Sequence, residues 1–210
     1  MAAHSNDPAT HIRELIHYEE MAEVVKQFVD ENEGTLMIST SDHETGGLTL
    51  ARQLTPAYPE YGWYPQRLFN ITRSTEVIAE EILSRPPSME WTRKVVFEEY
   101  LKITDATEAE VLQAATERNF NRLIKGLGES VSRRAEIGWS SSGHTGVDVN
   151  LYVYDGSKDK IAGLNGNVEN VQVGQVIQKL MNWNLEVVTE VLQQMPPDDS
   201  IRKEQEEFHG

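Results

Sequence analysis

The chain has 210 residues, with 19 Lys and Arg against 34 Asp and Glu, a formal charge of −15 with histidine neutral. That length suits one domain or part of a larger one, and 39% apolar with 25% charged residues mark a globular rather than a disordered chain. The acidic balance argues against nucleic acid and anionic lipid as partners, since both require clustered Lys and Arg. It also means that anion chemistry here would need bound cations. Cysteine is absent, which excludes disulfides, thiolate metal sites and cysteine nucleophiles, so any metal must be held by His, Asp and Glu. There is no run of ~18 apolar residues to span a membrane, and residues 1–8 show neither the basic start nor the apolar stretch of a signal peptide.

Asp7-Pro8 reads as a helix start, with Asp at the N-cap and Pro at the first helical position. Apolar residues at Ile12, Leu15, Ile16, Ala22, Val25, Phe28 and Val29 continue the helix, which Gly34 is expected to close. Residues 35–39 form a short apolar run of strand length, opening into the polar, glycine-closed loop 41–47. The stretch 55–65 carries Tyr58, Tyr61, Trp63 and Tyr64 among three prolines and reads as a loop. Ser74 caps a helix through Leu83, stopped by Pro86-Pro87. A second helix spans Trp91 to Ile103. A third opens on the capping box Thr107-x-x-Glu110 and continues to about Ala135, with Gly126 and Gly128 as the expected break. After Gly138 comes a polar loop, then the apolar run Val147–Tyr154, a second strand. A last helix runs from about Asn170 toward Gln194, and Pro196-Pro197 opens an acidic tail, 196–210, expected to be disordered. Near-continuously apolar strands are the pattern of a sheet covered on both faces. The middle third, about 85–135, is helical and carries no motif.

Six histidines are available. His209 lies in the tail, and His11 and His17 fall on the polar side of the first helix, where a solvated role is expected. His4, His43 and His144 stand near glycines and other polar residues. Asp42 and His43 lie just beyond a strand end, where α/β proteins place ligands. The pair reads either as metal ligands or as a capped turn, because Asp and Gly favour turns anyway. His144, between Ser-Gly and Thr-Gly, reads either as structural or as a ligand. His4 lies in a terminal segment expected to fray. No serine sits in a nucleophile-elbow pattern, and neither a phosphate-cradling nor a dinucleotide-binding glycine motif is present.

Three segments taken together, Met1-Ala-Ala-His4-Ser-Asn-Asp-Pro-Ala-Thr-His, Thr40-Ser-Asp42-His43-Glu-Thr-Gly-Gly-Leu48 and Ser142-Gly-His144-Thr-Gly-Val-Asp-Val149, resemble in order and spacing the metal-ligand segments of alkaline phosphatases. Ala51-Arg52-Gln53-Leu54 and Tyr58-Pro-Glu-Tyr61 are most similar to the fungal vacuolar branch. The resemblance implies a hydrolase of phosphate monoesters that uses two zinc ions and one magnesium, and an α/β fold with a mainly parallel sheet flanked by helices. Residues 1–195 would be the C-terminal part of that domain, with 85–135 a helical insert. By resemblance His4 and His144 hold the zinc that activates water, while Asp42 and His43 hold the zinc that activates a serine nucleophile. The serine, its partner arginine, the bridging aspartate and the magnesium-ligating glutamate of the family have no match in this sequence, so no catalytic residue is assigned and the chain alone is expected to be inactive. Relatives of this branch are homodimers and vacuolar in their full-length form. The competing reading is a non-enzymatic zinc-binding or interaction module derived from such an enzyme.

Overall fold

In the computed structural model, which describes residues 1–156 and 163–195, the first helix begins where the sequence places it. Asp7 caps α1 (Pro8–Glu31), its carboxylate accepting the backbone N–H groups of Ala9 at 3.1 Å and Thr10 at 3.0 Å. The helix closes before Gly34: Asn32 takes an extended conformation and its amide donates to the Phe28 carbonyl at 2.7 Å. Gly34, at φ 79°, makes the turn beyond. Asparagine satisfies a last-turn carbonyl with its side chain, so no left-handed cap is needed.

The chain divides into two units, Met1–Gly156 and Ser157–Gly210. In the first, β1 (Met37–Thr40) pairs with β2 (Leu151–Tyr154), Met37 opposite Tyr154 and Thr40 opposite Leu151. The pairing is antiparallel. The expected mainly parallel sheet is therefore not what the described residues form: they make one two-stranded sheet, and its residues are half-buried or exposed. An apolar run encodes strand propensity and burial but not direction, which the connections set. The strand β2 is also shorter than the run Val147–Tyr154. Both strands lie beside α1, where the Tyr18 hydroxyl bonds the Ser39 hydroxyl and Tyr154 donates to Asp30 at 2.7 Å.

Helices occupy the region between the strands: α2 (Gln66–Phe69), α3 (Thr75–Leu83), α4 (Met89–Trp91) running into a π-helix (Thr92–Tyr100), α5 (Glu108–Thr116) and α6 (Phe120–Ala135). Ser74 caps α3, accepting from Val77 N–H at 3.3 Å. Leu68, Ile78, Val96, Phe97, Leu101, Val111, Leu123 and Leu127, all buried, make the main core. The middle third is thus most of this unit's interior.

The break in that region falls at 117–119 and not at the glycines. Glu117 accepts from the N–H groups of Arg118 and Asn119, and Asn119 caps α6 through Arg122 N–H at 3.0 Å. Gly126 and Gly128 lie inside α6 because neighbours press on them. A Cβ at 128 would stand 2.5 Å from the Asn6 carbonyl oxygen, and one at 126 would stand 2.9 Å from the Gln113 amide nitrogen. Close approach outweighs the helix-propensity cost of about 1 kcal/mol per glycine.

The capping box at the start of α5 forms as predicted, and it doubles as an ion-pair site. Glu110 accepts Thr107 N–H at 2.8 Å while Glu110 N–H donates to Thr107 Oγ1 at 3.2 Å. Arg134 grips the same carboxylate with Nη1 at 2.7 Å and Nη2 at 3.1 Å. Burial works to raise the Glu110 pKa, yet Arg134 and Thr107 outweigh it and hold the carboxyl at about 2, against an ordinary 4.5. A folded-state pKa below the unfolded one stabilises fully above pH ~4.5 and is lost as pH falls toward ~2. Glu110→Gln is therefore expected to cost about 1–2 kcal/mol at pH 7 and to flatten the loss of stability between pH 5 and 2.5. Urea titrations at pH 7, 4.5 and 3 measure this; parallel acid limbs in wild type and variant would refute it.

In the second unit, taken by itself, α7 (Asn170–Leu180) and α8 (Leu185–Gln194) replace the single helix expected over 170–194. Asn182 adopts φ 51°, and Asn184 caps α8 by accepting Glu186 N–H at 3.0 Å. Asparagine tolerates the left-handed region and caps well, so two of them interrupt an apolar periodicity that continues across the gap. The expected disordered tail, 196–210, lies outside the described residues. No helix among the described residues is long and apolar enough to cross a membrane.

Candidate metal centre

Three separate segments deliver the histidines. His4 lies in the turn before α1, His43 in the loop after β1 and His144 in the loop before β2. The first segment does not fray. Ala2 and Ser5 are buried; Ala2 N–H donates to Glu14 at 2.9 Å and Ser5 Oγ to Glu76 at 2.6 Å. Asp7, buried, accepts Thr75 N–H at 2.8 Å besides capping α1. Asn6, at φ 51°, crosses to the third segment through Nδ2 and the Ser141 carbonyl at 3.2 Å. The turn is thus fixed to α1, α3 and the His144 loop, and the expectation of a mobile His4 is corrected. Position near a terminus argues for fraying only where backbone and side chains lack partners.

The other two loops interlock. Gly46 N–H donates to Gly143 O at 2.8 Å, and Gly46 O accepts from the N–H groups of Ser140 at 2.8 Å and Ser141 at 3.1 Å. Gly46 has φ 81°, and a Cβ there would lie 2.6 Å from the Trp139 ring. Gly47, at φ 58°, would collide with Ser140 and Thr145. These two glycines therefore let one loop lie directly on the other.

The resulting cluster brings donor atoms of His4, His43 and His144 within 4.8 Å of one another. His4 Nε2 stands 3.2 Å from His144 Nε2. His43 stacks on His144 with ring centroids 3.6 Å apart, and its Nε2 lies 3.3 Å from Asp42 Oδ2. Two ligands of one tetrahedral zinc, each at about 2.0–2.1 Å from it, are about 3.4 Å apart. Both the His4–His144 and the Asp42–His43 separations match that spacing. Imidazole with carboxylate suits zinc without thiolate. His43 Nδ1 faces the Glu44 carbonyl at 2.8 Å, an acceptor that calls for a proton on Nδ1 and leaves Nε2, the nitrogen beside Asp42, as the one that could ligate a metal.

Asp42 is exposed, and its carboxyl is held below its ordinary value: desolvation opposes the shift, while the His43 charge, the backbone N–H groups of Asp42 and His43 and the Ser41 hydroxyl bring it down. His17 is solvated, paired with Glu20 at 3.1 Å. His11 departs from expectation. It is half-buried near the Trp139 ring, centroids 6.4 Å apart, and burial lowers its pKa although Glu14 and Asp7 pull upward. The sequence reading missed Glu44. Its carboxylate accepts Gly47 N–H at 2.6 Å, Thr145 N–H at 2.8 Å and the Thr145 hydroxyl. That hydroxyl, with the Gly47 and Thr145 amides, holds its pKa down against desolvation. No local pattern in the sequence signals the Thr145 partner, which lies 101 residues away.

An imidazole cluster flanked by a carboxylate at a strand end is a donor set able to hold a divalent metal ion. The chain belongs to the alkaline phosphatase family, whose model matches residues 1–183. It is 39% identical over 201 residues to an alkaline phosphatase of Schizosaccharomyces pombe, which covers 93% of this chain and 36% of that protein. It is 36% identical over 205 residues to the repressible alkaline phosphatase of Saccharomyces cerevisiae, covering 91% and 36% respectively. Among solved structures, a cold-active alkaline phosphatase from a psychrophilic Shewanella aligns with a TM-score of 0.69 at 28% identity, over 86% of this chain and 42% of that one. The chain spans about a third of the length of the curated relatives it matches. The fungal resemblance thus holds, and the fold is that of an α/β alkaline phosphatase.

Proposed function

We propose that these residues form part of the two-zinc centre of a phosphate monoester hydrolase, with His4 and His144 holding one zinc and Asp42 and His43 the other. The observation that carries the reading is the convergence of three imidazoles from distant segments to within 4.8 Å of one another, with His4 Nε2 3.2 Å from His144 Nε2 and Asp42 Oδ2 3.3 Å from His43 Nε2. A zinc pair supplies Lewis acidity for the phosphoryl oxygens and lowers the pKa of bound water. The chain's own part is to orient the four donors: His43 by its Nδ1 contact with Glu44 O, His4 by the buried turn around Ala2 and Ser5. No residue here is assigned to magnesium or as nucleophile, so the 210-residue polypeptide alone supplies part of a site. On this reading residues 1–195 belong to one phosphatase domain, and β1 and β2 to a larger sheet.

Zinc calorimetry with a double-mutant cycle tests the pairing. His4→Ala and His144→Ala are each expected to lower zinc affinity by more than about 100-fold, since even an outer partner is worth about 10–100-fold. The double variant is expected to be no worse than either single one, and Asp42→Ala with His43→Ala to behave likewise. Unchanged affinity in His4→Ala would refute the assignment.

A further inference from the structure

We infer that Glu44 is a positioning residue of the metal centre, a carboxylate clamp that fixes the His43 loop against the His144 loop. The inference rests on the zinc reading above and adds a residue to it. Glu44 reaches both ligands by different atoms. Its backbone carbonyl faces His43 Nδ1 at 2.8 Å and sets that ring's tautomer. Its side chain crosses to the other loop, where Oε2 accepts both the N–H, at 2.8 Å, and the hydroxyl of Thr145, the residue next to His144. Oε1 turns back to Gly47 N–H at 2.6 Å and closes the 44–47 turn.

One carboxylate thereby takes three donors from two loops, and hydrogen bonds to an ionised acceptor are the strong kind. Its effect on the ligands is direct. The His43–His144 stack, 3.6 Å between centroids at 25°, spans the joint that Glu44 closes. The backbone bonds between the loops run from Gly46 to Gly143, Ser140 and Ser141 and fasten the chain ahead of His144. Glu44 fastens the residue after it. Without that second point His144 could turn about its own backbone, and the two donor pairs would lose their mutual placement. The Glu44 carboxylate is not grouped with the three imidazoles that could share an ion, and Glu44 O and Thr145 Oγ1 reach His43 only at Nδ1, at 2.8 and 3.4 Å, so the role is positional.

The test has two arms. In the metal-free protein, Glu44→Gln keeps size and one acceptor but loses the charge and the second acceptor. The His43 and His144 ring protons, shifted by stacking in wild type, are expected to move toward free-histidine positions in two-dimensional NMR spectra, with Thr145 and Gly47 amides exchanging at least about tenfold faster. Thr145→Val is expected to do the same to the rings, and Thr145→Ser to retain the wild-type spectrum. In the zinc arm, Glu44→Gln and Thr145→Val are each expected to weaken zinc binding by about 10–100-fold, with a double variant no worse than either and an unfolding midpoint of the metal-free protein little changed. Wild-type ring shifts in Glu44→Gln, or zinc affinity falling only in step with lost stability, would overturn the clamp. Failure of wild type to bind zinc would sink the metal reading instead, and the ring shifts would still decide the clamp.

Discussion

Purified polypeptide of these 210 residues is expected to hydrolyse p-nitrophenyl phosphate at alkaline pH, with zinc and magnesium present, at a rate on the order of 10⁴-fold or more below that of a complete family enzyme. The reason lies in the residues around the imidazoles. A phosphoryl transfer site needs an activated nucleophile as well as cations on the developing charge. Two nearby serine hydroxyls are engaged elsewhere: Ser41 Oγ donates to the His43 carbonyl at 2.9 Å and Ser140 Oγ to the Gly47 carbonyl at 3.3 Å. Neither has an imidazole as its base. Four donors can bind and orient cations, yet they leave the attacking group to water. Robust turnover that survives repurification and vanishes in His144→Ala would overturn this expectation and show a nucleophile within the chain.

The site was more legible than the frame that carries it. Asp7-Pro8, Ser74 and Thr107-x-x-Glu110 announced helix starts correctly, because a cap is a local bond between a side chain and an amide two or three residues on. Asp42, His43, His4 and His144 were singled out as candidate ligands by the resemblance of their three segments to a family, since the glycines and polar residues about them left a capped turn or a structural histidine equally open. Strand direction was not legible, since β1 and β2 owe it to a long connection and to shared packing on α1. The α6 glycines looked like breakers until Asn6 and Gln113 occupied the space a side chain would take. His4 looked free because its anchors, Glu14, Glu76 and Thr75, lie in other segments. Glu44 escaped notice for the same reason. These misses concern contacts between separate segments, whereas the missed asparagine caps at 32, 119 and 184 are local bonds.

Self-association of the isolated polypeptide is expected, at concentrations of tens of micromolar, and α1 is the cause. Its inward side is satisfied: Pro8, Ala9 and Val29 are buried and Ile12 packs on the core. Its other sides are not. Met21, Val24 and Phe28 are exposed at 48%, 65% and 56%, on a stripe of i, i+3, i+7 spacing. A separate groove of about 420 Å³ opens between Leu15, Tyr18 and Ala22 of α1 and Met37, Tyr152 and Val153 of the sheet. A helix apolar on more than one side is built to be covered on more than one side. The sheet adds to this, because each of its two strands has one edge unpaired among the described residues, and open edges template further pairing. The charge of −15 opposes association, but long-range repulsion is screened beyond about 8 Å at physiological salt and leaves strand N–H and C=O groups unsatisfied. Size-exclusion chromatography with light scattering should therefore show dimers or larger species, growing with salt. The double variant Val24→Lys with Phe28→Lys should return a monomer while keeping the wild-type circular dichroism. Co-expression with the remaining part of an alkaline phosphatase domain should have the same effect by covering the stripe. A sharp monomer peak for wild type at 50 µM, with slow amide exchange in Met37–Thr40 and Leu151–Tyr154, would contradict the argument and favour a self-sufficient zinc-binding or interaction module.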